Sequence, residues 1–561
     1  MFIHRYFCYL LPALLLGQVA EWVYRYDGPA HGIDAGYSIT YGADGCLYVA
    51  GTSYSNETGA DIVVIKLTAD GNPCWVYRSG NSLYGYEKAN QIVYGADNNL
   101  YVAGTSGLSY GNNQDFVVVS IDTAGNERWV WRHDGQGPGT DYEEANSLIY
   151  YTDGFFGYIY AAGTTAFYNQ RRNFTVVDLI DWGWLMNSYQ YNGSGNDDDV
   201  AESIVFGPDT NLYVAGYSVG SQYEDFTIIS LSRSCSQRWV WKTGIYLTNL
   251  LNQIVCGNNG VFACGVTYNP PYDLPMFVVV SVSYTGSTRW IYLYPNPSGN
   301  CGDYANSLVI SNDSISVFVA GGTGDETYDQ DLTVISLATT TGEQNWIYKY
   351  TEGNYSILES ANEIVITPHN FLYTVGTSYG NGIIVISLDT QGHERWVYQY
   401  TSPGGSNIWD SGNSIVYGDN KIYIAGASGG VGTESDLVVI CLRDTLLINV
   451  DEENQNLAFD GQKQNLSVYP NPFKDYCVIK FQIQNYGATC SQKSVAGITI
   501  YDATGRLIKT FSALHYNLSN SVHSVVWDGT DDFGRRLPAG VYFVRLDIGD
   551  FRKVEKVVLL N

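Results

Sequence analysis

Apolar residues along most of this chain fall in short runs of four to eight positions, separated by Gly, Asn and Asp. The clearest stretch, residues 88–133, reads KANQIVYGADNNLYVAGTSGLSYGNNQDFVVVSIDTAGNERWVWRH. It contains four strand-like pieces, ANQIVYG, NLYVAGTS, DFVVVSID and ERWVWRH. Asx-rich turns follow the first piece and TAGN follows the third, as antiparallel hairpins require. Because no long segment repeats its apolar residues with a period of 3.6, the pattern predicts an all-β protein.

The four-piece unit recurs along the chain with a spacing of 50 to 58 residues. Its fourth piece is marked by a tryptophan, and these are Trp22, Trp75, Trp129, Trp239, Trp290, Trp346 and Trp396. Asn187 takes the slot between Trp129 and Trp239. The first piece occurs eight times, and the third is apolar almost throughout, as expected for strands covered on both faces. Four short strands per unit are typical of a β-propeller blade, so we expect an eight-bladed β-propeller rather than a sandwich or a solenoid.

The positions at which the repeat starts and stops suggest a role for the first copy of the fourth piece. The eighth unit stops after SDLVVICL, Ser435–Leu442, without a fourth piece. EWVYRY, Glu21–Tyr26, is a fourth piece with no unit before it. We therefore expect Glu21–Tyr26 to become the outermost strand of the last blade and to close the ring.

The first twenty residues, MFIHRYFCYLLPALLLGQVA, have a short basic head followed by an apolar run. The run is too short to cross a bilayer as a helix, and Pro12 disfavours a buried helix. We interpret residues 1–20 as a cleaved signal peptide and expect no transmembrane segment in the mature chain.

Charge narrows the choice of partner. The chain has a formal net charge of −27, yet residues 467–561 carry 11 basic and 8 acidic side chains. The rest is therefore strongly acidic and repels phosphate backbones, so we expect no nucleic-acid partner. The ten cysteines follow neither a disulfide nor a zinc pattern. The pairs Cys256/Cys264 and Cys477/Cys490 are either bridged or small buried residues.

An acidic residue precedes the first piece in seven of the eight units. These residues are Asp34, Glu87, Glu143, Asp199, Asp303, Glu359 and Asp410, and Asn249 takes the eighth position. One hypothesis is a carboxylate-lined mouth that holds a cation such as Ca²⁺. The alternative, which repetition in every unit favours, is a carboxylate that accepts local backbone N–H groups. A second series at the start of the third piece invites the same structural interpretation: Asp61, Asp115, Asp225, Asp331 and Asp436.

Catalytic patterns are missing from the sequence. The seven histidines occupy unrelated repeat positions, and no HExxH or Ser-His-Asp arrangement follows from their spacing. NDDDVAES and DGTDDFG lack the spaced ligands of a Ca²⁺ loop. Aromatic residues in the variable loops either stack on sugar rings or pack along blade edges: Tyr84, Tyr86, Tyr110, Trp182, Trp184, Tyr355 and Trp409.

Three segments, DYEEANSLI, DNNLYVAGTS and QDFVVVSIDTAGNERW, resemble the SBBP-type β-propeller repeat of secreted bacterial proteins. Gly-x-x-x-Trp, as in Gly71/Trp75 and Gly125/Trp129, is similar to the tryptophan-docking motif of quinoprotein propellers. That resemblance implies a structural role for the tryptophans. Quinoprotein dehydrogenases also carry an adjacent cysteine pair, which this chain lacks, so we expect no quinone cofactor.

Residues 443–465 are polar and free of the repeat, and we interpret them as a linker. Three motifs follow: YPNPF (469–473), YDATGR (501–506) and WDGTDDFGRRLPAGVYFVRL (527–546). They resemble the C-terminal sorting domain of type IX secretion cargo and the related FlgD-like immunoglobulin-type domain. The resemblance implies a small immunoglobulin-like β-sandwich over residues 466–561 and the type IX machinery as a partner. It also implies a secreted or outer-surface location in a Gram-negative-type bacterium.

Taken together, the sequence predicts a propeller over residues 21–442 that is exported and binds a ligand without catalysis. The ligand would be a glycan or a protein. Two alternatives stay open: an extracellular propeller enzyme acting on polysaccharide, and a purely structural surface component.

Overall fold

The computed structural model describes residues 18–560 apart from internal gaps. The gaps are 81–84, 110–111, 134–141, 167–170, 221–222, 245–247, 270–273, 296–301, 325–329, 352–357, 404–409, 444–465, 470, 475–476, 483–494, 516–521, 532–534 and 549–550. The chain divides into two compact units, Met1–Leu447 and Ile448–Asn561. Regular structure in the described residues consists of 39 strands, β1 to β39, so the all-β prediction is confirmed.

The first unit contains 32 strands in repeated sets of four. After β1 (Ala20–Tyr26), the first four sets are β2 (Asp34–Tyr41), β3 (Cys46–Ser55), β4 (Gly59–Thr68), β5 (Pro73–Arg78); β6 (Gly85–Tyr94), β7 (Asn99–Ser109), β8 (Asn112–Asp122), β9 (Glu127–His133); β10 (Glu144–Thr152), β11 (Gly157–Ala166), β12 (Arg172–Ile180), β13 (Leu185–Tyr191); and β14 (Asp199–Phe206), β15 (Leu212–Val219), β16 (Glu224–Leu231), β17 (Gln237–Thr243).

The remaining sets follow the same order. They are β18 (Asn249–Gly257), β19 (Gly260–Asn269), β20 (Leu274–Val282), β21 (Thr288–Leu293); β22 (Tyr304–Ile310), β23 (Ser316–Gly324), β24 (Gln330–Ala338), β25 (Gln344–Tyr350); β26 (Glu359–Ile366), β27 (Phe371–Ser378), β28 (Gly382–Asp389), β29 (Glu394–Tyr400); and β30 (Ser411–Gly418), β31 (Lys421–Gly429), β32 (Ser435–Arg443).

Each set forms an antiparallel four-stranded sheet in sequence order. The first two sets merge into one sheet because β4 and β6 share a short parallel pairing at Gly59↔Gly85 and Ala60↔Tyr86. Repeated four-stranded sheets of this kind are consistent with a β-propeller.

The last set takes its fourth strand from the beginning of the chain. Strand β1 pairs antiparallel with β32, with Trp22 opposite Cys441 and Tyr26 opposite Leu437. The Arg25 guanidinium lies 2.8 Å from the Asp436 carboxylate. This is the closing strand that the phase of the repeat predicts.

Neighbouring sheets share their apolar cores. Val49 and Val63 of the first set pack with Leu437 and Val439 of the last set, and all four are fully buried. Equivalent clusters join the other neighbouring sets. The third pieces are apolar throughout because each sheet is covered on both faces.

A β-bulge interrupts the pairing of the first strand in every set, for example between Ala89 and Gln91. Opposite the bulge stands a glycine of the second strand, such as Gly104. A Cβ at Gly104 would lie 2.1 Å from the Lys88 carbonyl oxygen, so only glycine fits there. The bulge and its glycine fix the position of two consecutive polar residues in each first strand.

Most of the tryptophans expected to be structural pack on the next sheet. Trp75 lies against Gly125 in the following set, and its Nε1 donates to the Thr123 carbonyl oxygen at 3.1 Å. The same contact joins Trp22 to Gly71, Trp129 to Gly183, Trp239 to Gly286, Trp290 to Gly342, and Trp346 to Gly392. Thus the glycine and tryptophan of one Gly-x-x-x-Trp motif contact different neighbours. For Trp396 the equivalent partner would follow β32, at residues that lie outside the described ones.

The contact between the third and fourth sets lacks both of its partners. Asn187 replaces the tryptophan and donates to Asp178 at 2.8 Å. In the next set, Cys235 replaces the turn glycine and keeps its positive φ of 55°. Loss of the indole thus coincides with loss of the glycine that would receive it.

The second compact unit has two sheets. One contains β33 (Leu466–Tyr469), β34 (Cys477–Gln482) and β37 (Val522–Trp527), and the other contains β35 (Val495–Asp502), β36 (Leu507–His515), β38 (Gly540–Ile548) and β39 (Phe551–Leu559). Ile479, Trp527, Ile500 and Val544 bring both sheets into one core. Phe473 of the YPNPF motif packs on Trp527 with ring centroids 5.3 Å apart.

The described cysteines are free thiols, among them Cys256, Cys264 and Cys477. The bridge considered between Cys256 and Cys264 is therefore not formed, while Cys490 lies outside the described residues. A search of the described residues finds no helix that is long and apolar enough to cross a membrane. Residues 1–17, most of the expected signal peptide, also lie outside them.

Candidate functional site

The first strands of all eight sets line an open central channel, which contains a polar cavity of about 220 Å³. Two rings of side chains line it. The amide ring contains Tyr37, Asn90, Asn146, Glu202, Asn252, Asn306, Asn362 and Asn413. The acceptor ring contains the following residue of each set: Ser38, Gln91, Ser147, Ser203, Gln253, Ser307, Glu363 and Ser414.

The acceptor ring is occupied by bonds between neighbouring sets. Apart from the short β4–β6 pairing, no strand in the described part of the chain pairs with the channel edge of a first strand, so the backbone groups there need other partners. Ser38 Oγ accepts the Ile92 N–H at 3.2 Å, and Gln91 Oε1 accepts the Leu148 N–H at 2.6 Å. Ser414 Oγ accepts the Ile39 N–H at 3.2 Å, which completes the circle. The other five members make the same bond at 2.6–3.3 Å.

The asparagines of the amide ring donate hydrogen bonds to backbone carbonyl groups of the next set. Asn90 Nδ2 donates to the Ala145 carbonyl oxygen at 3.0 Å, and Asn413 Nδ2 donates to the Gly36 carbonyl oxygen at 2.8 Å. Asn146, Asn252, Asn306 and Asn362 make the equivalent bond. Tyr37 and Glu202 depart from this pattern.

Glu202 places a carboxylate where six other sets have an amide. Its Oε2 accepts from Asn146 Nδ2 at 3.2 Å. Removal from bulk water raises the pKa of Glu202 to about 7, and the negative charge of Glu144 acts in the same direction, against the charges of Arg172 and Lys88. In the acceptor ring, burial also raises the pKa of Glu363, whose Oε2 accepts the Ile415 N–H at 2.7 Å. The channel therefore holds two carboxyl groups whose ionisation burial disfavours.

The predicted acidic series lies outside this cavity, at the entry to each first strand. Its members, Asp34, Glu87, Glu143, Asp199, Asp303, Glu359 and Asp410, are only 0–3 % exposed. Asp34 accepts the N–H groups of Gly28 at 2.6 Å and Tyr54 at 3.2 Å, so it ties the incoming chain to the end of β3. Asp199 does the same with Gly193 and Val219, and Asp410 with Ser402 and Gly429.

The remaining members of the series also have partners. Asp303 accepts the Gly324 N–H at 2.7 Å, Glu143 accepts the Ala166 N–H at 2.8 Å, and Ser378 Oγ donates to Glu359 at 3.1 Å. Ser106 Oγ donates to Glu87 at 2.7 Å. Asn249, the uncharged member, accepts from Thr267 Oγ1. These contacts fit the alternative of a local bridge.

Other acidic groups pair with basic side chains. Asp61 of the second series lies 2.7 Å from Arg78, and Asp331 lies 3.3 Å from Lys349. In NDDDVAES, Asp198 pairs with Arg172 at 2.6 Å. Among the described residues no group of three or more His, Cys, Asp or Glu side chains is arranged to hold a metal ion.

A second feature lies at one end of the sheets. That end carries the turns between first and second strands and between third and fourth strands, and we call it the turn face. A hollow of about 860 Å³ opens there, lined by Tyr41, Tyr94 and Tyr150 with the adjoining turns. Its lining and that of the channel cavity contain no histidine among the described residues.

The third set adds an aromatic cluster to the turn face. Phe155 and Phe156 occupy its first turn, and Trp182 and Trp184 occupy its second. The Trp182 ring lies 6.1 Å from Trp184 and 6.2 Å from Phe156, both edge to face. Trp182 and Trp184 are 57 % and 66 % exposed, so these two residues lie in an exposed turn, as expected from the sequence. Tyr84, Tyr110, Tyr355 and Trp409 lie outside the described residues.

Sequence reasoning missed both rings of the channel. The signal was present, since an Asn followed by Ser, Gln or Glu recurs inside an otherwise apolar first strand. The phenylalanines of TDGFFG were also missed, although no other first turn carries two aromatic residues.

Comparison with known families identifies two parts of the chain. Residues 467–560 match the secretion system C-terminal sorting domain. Residues 42–74 match a beta-propeller domain of unknown function. No curated protein matches the chain. The sorting domain makes this a type IX secretion cargo located at the cell surface or outside the cell.

Three solved structures are similar to this chain at low identity. PorZ, an essential surface component of the type IX secretion system of Porphyromonas gingivalis, is 14% identical with a TM-score of 0.35, over 92% of this chain and 73% of that chain. Sqt1 from Chaetomium thermophilum is 12% identical with a TM-score of 0.46, over 76% and 100%. Quinohemoprotein alcohol dehydrogenase from Comamonas testosteroni is 10% identical with a TM-score of 0.44, over 76% and 78%.

Proposed function

We propose that this protein is an exported, non-catalytic binding module that holds a glycan on its turn face. In this proposal residues 21–442 form an eight-bladed propeller of SBBP type, and residues 1–20 are the cleaved signal peptide. Residues 443–465 are the linker to an immunoglobulin-like sorting domain over residues 466–561, which engages the type IX machinery.

The exposed cluster of Phe156, Trp182 and Trp184 carries the proposal. Single exposed aromatic side chains are ordinary, but a contiguous exposed patch of them marks a binding surface. Flat rings held edge to face on short β-turns offer rigid faces at little entropic cost, and the apolar face of a sugar ring packs on such a surface.

The chemistry around the cluster suits a neutral ligand. The propeller body is strongly acidic, which disfavours anionic partners. Asp153 lies beside the cluster in the first turn, where its Oδ1 accepts the N–H groups of Phe155 and Phe156 at 2.9 and 3.0 Å. These bonds hold both phenylalanines on a fixed turn, so the aromatic surface is formed before a ligand arrives.

The channel supports a binding role over catalysis. The acceptor ring and the six asparagines of the amide ring are engaged in bonds between sets, so these side chains hold neighbouring sets together. A polysaccharide-cleaving enzyme needs side chains that are free to transfer protons to a substrate.

The test is a glycan array probed with the full mature chain, followed by titration of each hit against the Trp182→Ala/Trp184→Ala variant. We expect binding by the wild-type protein and at least a tenfold loss of affinity in the double variant. Tyr379→Ala is the matched control, because Tyr379 is 55 % exposed in a turn between second and third strands, at the opposite end of the sheets.

Three results would count against the proposal. A blank array would favour the purely structural role. Shortened glycans after incubation would favour the polysaccharide enzyme. Equal affinity in the double variant and the wild type would move the ligand away from the turn face.

A further inference from the structure

The amide ring has a geometric consequence for the channel. An Asn side chain carries one acceptor oxygen and one donor nitrogen. In six sets the nitrogen donates to a backbone carbonyl oxygen of the next set at 2.8–3.0 Å, and a carbonyl can only accept. The amide orientation is therefore fixed, so Oδ1 is the acceptor atom of each amide, and in Asn413 it already accepts from Ser411 Oγ at 2.6 Å.

Glu202 adds charge to these oxygens. It stands at an amide-ring position, and Asn146 Nδ2 reaches only one of its carboxylate oxygens. Asn146 donates its two amide hydrogens to the Ala201 carbonyl oxygen and to Glu202, so its own Oδ1 is available as an acceptor. Glu363 lines the same cavity from the acceptor ring. The channel thus gathers acceptor oxygens and two carboxyl groups around a shared axis.

We propose that the channel cavity binds one Ca²⁺ ion through Glu202 and the Oδ1 atoms of neighbouring amide-ring asparagines. Carboxylate and amide oxygens are the ligands that Ca²⁺ prefers, and its coordination tolerates an irregular, partly hydrated site. A cavity of about 220 Å³ has room for the ion and several waters. The small, strictly octahedral Mg²⁺ fits such a wide ring less well.

The ion would neutralise carboxyl groups that are costly to bury alone. This site differs from the acidic series at the strand entries, whose carboxylates already accept local N–H or hydroxyl groups. It is also independent of glycan binding on the turn face, so each proposal can fail without the other.

The experiment is calorimetric titration of CaCl₂ into the full mature chain after removal of metal with EDTA. We expect one Ca²⁺ per chain with a Kd between about 10⁻⁶ and 10⁻³ M, and at least tenfold weaker binding of Mg²⁺. Thermal melting should show a higher Tm in Ca²⁺ than in EDTA.

Glu202→Asn is the informative variant because it restores the residue found in six other sets. It should bind Ca²⁺ at least tenfold more weakly, while its Tm in EDTA should equal or exceed that of the wild type. Glu202→Gln, which keeps the side-chain length, should also lose binding. Asp199→Asn, in the acidic series, should keep it.

Absence of Ca²⁺ binding by the wild-type chain would overturn the proposal, and so would equal affinity in Glu202→Asn. Loss of binding in Asp199→Asn alone would place the ion in the acidic series instead.

Discussion

Single residues decide how neighbouring sheets meet. An indole from one set lies on a glycine of the next, and that glycine has a positive φ in each of the six described contacts. A side chain there would meet two penalties, the left-handed backbone and the indole face. Where the indole is absent, Cys235 occupies the equivalent turn position and also has a positive φ. The backbone turn is therefore kept where the contact is missing.

The contact between Trp75 and Gly125 can be tested by a double-mutant cycle. Trp75→Ala should lower the free energy of unfolding by about 3 kcal/mol through lost packing. Gly125→Ala should lower it by about 2 kcal/mol, because φ is +92° and the new Cβ would lie 2.8 Å from the indole. The double variant should lose less than the sum by at least about 1 kcal/mol, since the clash needs both groups.

Chemical denaturation of the four proteins measures this coupling. Trp75→Ala with Gly392→Ala is the control pair, because Gly392 contacts Trp346 in a distant part of the ring. Those two losses should add. Additive losses for Trp75 and Gly125 would show that their contact contributes nothing to stability.

Residue identity alone left the acidic series ambiguous. A carboxylate serves equally well for a cation and for backbone N–H groups, and the sequence does not show which groups surround it. Asp34 illustrates the point, because its two partners come from the incoming chain and from the end of β3. Repetition in every set favours a local arrangement, because a structural bridge is needed once per unit.

At the level of strands, the sequence predicted pairing better than side-chain partners. The strand pieces, their order and the pairing of Glu21–Tyr26 with the last set followed from turn residues and from counting. The two channel rings did not follow, because each bond joins side chains of one first strand to the backbone of another about fifty residues away. The apolar periodicity of a strand therefore does not predict that contact.

The closing strand should be essential for the stability of the ring. Deletion of Glu21–Tyr26 exposes the edge of β32 and removes the packing of Trp22 on Gly71, together with the Arg25–Asp436 pair. We expect a loss of at least about 3 kcal/mol, the cost of removing one buried tryptophan alone. Thermal melting followed by circular dichroism measures it.

Moving the same six residues to follow Arg443 through a short flexible linker provides the matched control. The relocated strand can pair with β32 in the same orientation, so most of the lost stability should return. An unchanged Tm after the simple deletion would mean that β1 does not close the ring.

At the scale of the whole molecule, the proposed binding surface and the sorting domain lie in different compact units. The boundary between the units falls at Leu447 and Ile448, and the sorting domain covers residues 467–560. The charge follows the same division, since the acidic surplus lies in the first unit. The second unit has its own core around Trp527, so neither unit needs the other to bury its apolar residues.

This division predicts that folding and export can be separated. Deletion of residues 467–561 should leave the first unit with the Tm that it has in the full chain, because its cores close within residues 20–443. The same deletion should abolish appearance at the cell surface and in the medium, because the sorting signal is gone.

Cell fractionation with immunoblotting locates the protein. Replacement of residues 449–459 by a Gly-Ser segment of equal length is the control that should still be exported. Surface display of the shortened chain would show that the first unit carries a sorting signal of its own, whereas its degradation inside the cell would show that the two units depend on each other for stability.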